Sequence, residues 1–83
     1  MRDLLSRMER NPAGDWTIED AERLCRRAGV RCVPPTGGGS HYKVSHPSQV
    51  EILTIHAHKP VKPVYIRELA AFLRRVGGED ADP

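Results

Sequence analysis

The chain has too few cysteines for a disulfide framework, no long apolar run, and no strong excess of either charge. Its two cysteines, Cys25 and Cys32, fall in a predicted helix and a predicted strand. They read as small core residues with free thiols in a reducing compartment. No stretch approaches the roughly 20 apolar residues that cross a bilayer, and the opening MRDLLSRMER has no secretory apolar region. The expectation is a cytoplasmic protein that does not engage the membrane. A formal net charge of +2 is too mild to identify a nucleic-acid partner unaided. With 83 residues the chain makes one domain with a thin core. A deep, enclosed active site has little room in it, so any chemistry belongs on an open surface and acts on a large substrate.

What is present divides into punctuated segments. From Asp3 to about Arg10, Leu4, Leu5 and Met8 recur at helical spacing, and Asn11-Pro12 closes the run. Residues 11–16 form a turn-rich joint. Thr17 followed by Asp20 has the spacing of a capping box, and Glu19 suits the positive end of the helix dipole. Ile18, Ala21, Leu24, Cys25 and Ala28 make one apolar stripe, which Gly29 terminates. Val30 to Val33 reads as a short strand that Pro34-Pro35 confine to a sheet edge. Ser40 to Ser45 and Glu51 to His58 alternate as strands, joined by the turn His46-Pro47-Ser48-Gln49. The prolines of KPVKP (59–63) interrupt regular structure, and Pro63 suits the first turn of a helix. That helix buries Ile66, Leu69, Ala70, Leu73 and Val76, with Phe72 at the border, and stops at Gly77-Gly78.

The predicted class is therefore α+β. A short extra N-terminal helix precedes α-β-β-β-α, folded as a three-stranded antiparallel sheet with helices on one face. The chain divides into an N-terminal helical extension (1–16), the main domain (17–78) and an acidic tail (79–83) expected to fray. Alternation turns Tyr42, Val44, Leu53, Ile55 and Ala57 toward the helices. His41, Lys43, Thr54, His56 and His58 share the opposite, open face. Polar residues are normal there, but the loop before His41 is more informative. Gly37, Gly38 and Gly39 allow a ligand close to the backbone, and adjacent free N–H groups can hold a phosphate. His41 then lies at the start of the strand, beside that phosphate.

The segments GSHYKVSHP (Gly39 to Pro47) and LTIHAHKPVKPVYIRELAAFL (Leu53 to Leu73) resemble a HicA-type toxin of bacterial toxin–antitoxin modules. The likeness reaches back to the helix before Gly29 and so covers most of the chain. It implies a fold similar to a double-stranded-RNA-binding domain, an mRNA-cleaving activity, and neutralisation by a HicB-type antitoxin. The family's catalytic histidine lies in its Gly-Ser-His motif, which places it at His41. The chain departs from the family in having His56 where a proline is usual, in its first sixteen residues, and in Pro34-Pro35 of the first strand.

The chemistry this implies needs no metal or cofactor. A base that removes the proton of an RNA 2′-hydroxyl allows attack on the adjacent phosphorus, giving a cyclic phosphate and a free 5′-hydroxyl. Histidine suits the task because its ordinary pKa of about 6.5 lets one ring act as base or acid. Lys43 or the Gly37–Gly39 amides would stabilise the charged phosphorane. His58 and His56 are the candidate general acids, and Gly37, Gly38, Gly39, Ser40, Lys43, His58 and Lys59 the candidate RNA contacts. His46 and the arginines 26, 27, 67, 74 and 75 read as plain solvated residues. One rival is a non-catalytic RNA-binding module of the same fold. Another is a metalloprotein, since four histidines lie between 41 and 58, although no CxxC or HExxH spacing supports it. A Ser40–His41 hydrolase fails because strand neighbours face opposite ways.

Overall fold

Thr17 shows how local sequence starts an element in this chain. In the computed structural model, which describes residues 4–77, its backbone is extended and its hydroxyl accepts the Asp20 N–H at 3.1 Å. The Asp20 carboxylate accepts the Thr17 N–H in return, at 3.0 Å. This closed capping box stabilises the helix start by about 1 kcal/mol. Burial opposes ionisation of Asp20, but the hydrogen bonds from Thr17 and the Arg23 guanidinium outweigh it and hold the carboxyl below its ordinary range. The helix so begun is α2 (Ile18–Ala28), following α1 (Leu4–Arg10). It ends at Gly29, whose φ of 72° is left-handed. Gly29 and Val30 donate their N–H groups to Arg26 and Cys25, which closes the helix with a Schellman turn.

Three strands follow, β1 (Arg31–Val33), β2 (His41–Ser45) and β3 (Leu53–His56), then α3 (Pro63–Val76). They form one antiparallel sheet in the order β1-β2-β3. As expected from Pro34-Pro35, β1 is a short edge strand. All three strands are shorter than the sequence suggests, β2 by Ser40 alone. Val30 is consumed by the helix-closing turn. The third strand does not reach from Glu51 to His58: Val50 and Ile52 stand 99% and 62% exposed before it. At its far end the Ala57 N–H still reaches the Ser40 carbonyl at 2.9 Å, but the His58 N–H turns back to His56 at 3.0 Å. The ladder therefore stops one residue before the proline-interrupted segment begins.

The core lies between the helices and the sheet face that carries Cys32, Val44 and Ile55. Ala21, Leu24 and Cys25 of α2 and Ile66, Leu69, Ala70 and Leu73 of α3 fill it. Both cysteines are free. Contact with Cys32 and then burial push the Cys25 thiol up, out of the reactive range. Three contributors depart from the sequence reading. Phe72, expected at the border of the α3 stripe, is fully buried. Val61 is buried in the irregular segment, its N–H held by the Trp16 carbonyl at 2.8 Å. Leu4, Leu5 and Met8 of α1 join the same core and pack against α3.

Arg74 and Arg75 also do more than face solvent. Arg74 grips the Glu9 carboxylate of α1 through two bonds of 2.8 Å. Arg75 reaches Gln49 Oε1 at 3.1 Å and Glu51 at 3.6 Å, tying α3 to the β2–β3 connection. These half-exposed pairs are worth up to about 1 kcal/mol each. The acidic tail 79–83, with Gly78, lies outside the described residues. No described helix is long and apolar enough to cross a membrane.

Candidate active site

The register of β2 against β3 decides which side chains meet. His41 lies directly opposite His56, Tyr42 opposite Ile55, Lys43 opposite Thr54 and Val44 opposite Leu53. Val44 and Ile55 are buried, so their neighbours His41, Lys43, Thr54 and His56 must project from the other face. Pairing of β1 adds Arg31 and Val33 to that face, beside Ser45 and Lys43. The outward strand positions thus carry two imidazoles, an ammonium and a guanidinium, and no carboxylate. Lys43 Nζ donates to Thr54 Oγ1 across the strands at 3.4 Å, a long and exposed bond that leaves the ammonium mostly to solvent.

The imidazoles are in contact. The His41 and His56 rings meet edge to face, with centroids 4.1 Å apart at 80°. The His56 ring also lies nearly parallel to His58 at 5.9 Å and to Tyr65 of α3 at 5.2 Å. His56 is therefore the hub, touching the other three rings. Partial burial, and then the charges of His41, His58 and Lys62, hold it below the ordinary imidazole range. The surroundings of the ring thus disfavour its charged form.

The glycine loop enters the same end of the sheet. Gly37 and Gly38 have φ of 74° and 88°, which side chains rarely adopt, while the space around them is open. What these positions need from glycine is conformation, and both lie exposed on the surface. Ser40, next in line, is anchored by its carbonyl to Ala57, which brings the loop's end against the His56–His58 segment. Gly37, Gly38, Gly39, Ser40, Lys43, His58 and Lys59 are all exposed.

His46 stands apart, in the turn between β2 and β3. Its Nδ1 accepts the Ser48 N–H at 3.0 Å and lies 2.8 Å from Ser48 Oγ, so it braces the turn. Among the described residues no group of three histidine, cysteine or acidic side chains is arranged to hold a metal ion. Sequence reasoning missed Tyr65 and Lys62. The available signal was an aromatic in the first turn of α3, two residues after HAHKPVKP, at the edge of the helix's apolar stripe. What the fold and the face define is a small α+β domain with an open, imidazole-bearing sheet surface. No family model, curated protein or solved structure matches the chain.

Proposed function

We propose that the chain is a metal-independent endoribonuclease of the HicA type. Its fold would be of the double-stranded-RNA-binding kind, and its place the cytoplasm, as the toxin of a toxin–antitoxin pair. The observation that carries this reading is the meeting of His41 and His56 at 4.1 Å beside an open glycine loop. On an otherwise polar face, two contacting imidazoles next to an exposed glycine loop suit a phosphodiester. RNA supplies its own nucleophile, so the protein needs only to move protons and stabilise charge.

In this scheme His41 takes the 2′-hydroxyl proton as the 2′-oxygen bonds to phosphorus. The bond from phosphorus to the 5′-oxygen breaks, leaving a 2′,3′-cyclic phosphate and, after proton transfer, a 5′-hydroxyl. His56, whose charged form is disfavoured beside His41, braces the His41 ring as it takes up the proton. His58 and His56 are the two candidate proton donors to the leaving 5′-oxygen. Lys43 and the loop amides stabilise the phosphorane. An antitoxin of the HicB type would cover this face, and the absence of carboxylates from its strand positions favours an acidic or substrate-like covering surface.

The test is cleavage of a labelled mRNA by the wild-type protein, His41→Ala and His46→Ala, with and without EDTA. Cleavage should survive the chelator and leave cyclic phosphate ends. His41→Ala should slow it by about a hundredfold or more, whereas His46→Ala should cut at a rate close to wild type. A folded His41→Ala protein that cuts at the normal rate would overturn the assignment. Wild-type protein that binds RNA and never cuts it would make the chain a binding module instead.

A further inference from the structure

Tyr65, His56 and His58 form a row of nearly parallel rings, with 5.2 Å and 5.9 Å between successive centroids. The row begins on the first turn of α3, crosses the end of β3 and finishes at the exposed His58. The edge-to-face contact of His41 with the middle ring sets the row beside the proposed site of cleavage. Lys59 and Lys62, both exposed, lie in the segment of chain that joins His58 to Tyr65.

We propose that this row is a stacking platform for an unpaired base of the RNA, with His58 as the outermost ring on which the base lies. The proposal rests on the ribonuclease reading and narrows its substrate to single-stranded RNA. Nearly parallel rings continue readily into a nucleobase, since every base has a π-face, and the exposed Lys59 and Lys62 of the connecting segment suit an RNA backbone nearby. Tyr65 backs His56 from the helix, so the platform does not depend on a mobile loop for its footing. Stacking engages the face of His58 and leaves its edge nitrogens free for a phosphate or a proton. A base inside a duplex cannot lie on this row, because both of its faces are already occupied by neighbours. The platform therefore selects against double-stranded RNA even on a fold whose likeness is to duplex binders.

The experiment uses the full-length chain carrying His41→Ala, so that the RNA stays intact while binding is measured. Three probes of one sequence are compared: a single strand, the same strand with one abasic position, and its duplex. The single strand should bind at least about tenfold more tightly than the duplex. Adding His58→Ala should weaken single-strand binding about tenfold, the usual size of one lost stack. His58→Phe should restore most of it, because the platform needs a ring and not a charge. Scanning the abasic position should find one site where the loss equals that of His58→Ala, and the two losses together should not add. Tyr65→Leu should give a smaller loss in the same direction.

Equal affinity for duplex and single strand, or a neutral His58→Ala, overturns the platform. His58→Phe behaving like His58→Ala means that the imidazolium acts as a phosphate contact, and it overturns stacking too. The separate failure is also visible. If the single strand binds through His58 and the protein with His41 intact never cuts it, the platform stands and the catalytic reading falls. If no probe binds, both fall.

Discussion

The two faces of the β2–β3 hairpin are built from alternate residues of the same nine positions, yet they obey different rules. On the inner face Val44 and Ile55 are fully buried against the helices. There volume and shape set what is acceptable, and interiors packed to crystal density give little latitude. On the outer face His41, Lys43 and Thr54 are not packed into the core, and His56 meets α3 only through the Tyr65 ring, so stability places little demand on them. Their contacts are ring against ring and one long hydrogen bond. The lesson is that one register sets the fold on one side and frees the other side for chemistry. A single-residue slip would exchange the two.

The largest expected effect tests the inner face. Ile55→Ala removes a fully buried side chain from a thin core and should cost about 2–5 kcal/mol in urea unfolding. In a domain this small that is a large share of total stability. A loss below about 1 kcal/mol would show that the core collapses around the gap, and the contrast between faces would weaken.

The outer face should respond in the opposite way. Lys43→Ala deletes an exposed side chain and a 3.4 Å bond to Thr54, so unfolding free energy should change by no more than about 0.5 kcal/mol. His41→Ala should be as mild in stability while severe in RNA cleavage. If either variant melted far below wild type, the outer face would be structural after all, and the functional reading of its residues would lose its footing.

The smallest effect is a pH dependence, and it separates His56 from the other outer residues. In the folded chain His56 binds its proton less readily than in the unfolded chain. Its contribution to stability is therefore full above the ordinary imidazole pKa of about 6.5 and declines as pH falls through that value. Melting temperature should drop slightly between neutral pH and pH 5, and His56→Phe should flatten part of that slope. A wild-type slope unchanged by His56→Phe would show that the ring cluster carries no repulsion.

Local rules were readable wherever neighbours in sequence settle the outcome. Thr17 and Asp20, three residues apart, close the capping box on their own. Gly29 closes α2, Pro34-Pro35 stop β1, and the alternation of β2 and β3 divides inward from outward side chains. The α+β order and the open face followed from these. The strand ends were less readable, because apolar Val50 and Ile52 continue the pattern of β3 while lying outside it. Pairing depends on whether a partner backbone is present, and no residue announces that by itself.

Other features came only from distant parts of the chain meeting. Val61 looked like a loop residue, and the Trp16 carbonyl 45 positions away makes it core. Arg74 looked solvated, yet Glu9 of α1 holds it. The same holds for the site. The sequence by itself determined that His41 would face away from Tyr42 and Val44, and His56 away from Ile55, since that needs only the period of a strand. Only the tertiary structure decided that His41 and His56 stand in direct register and that Tyr65 backs them. Those contacts depend on turn length, on where β3 ends and on how α3 packs, and each of these is set by burial against residues far away in the chain.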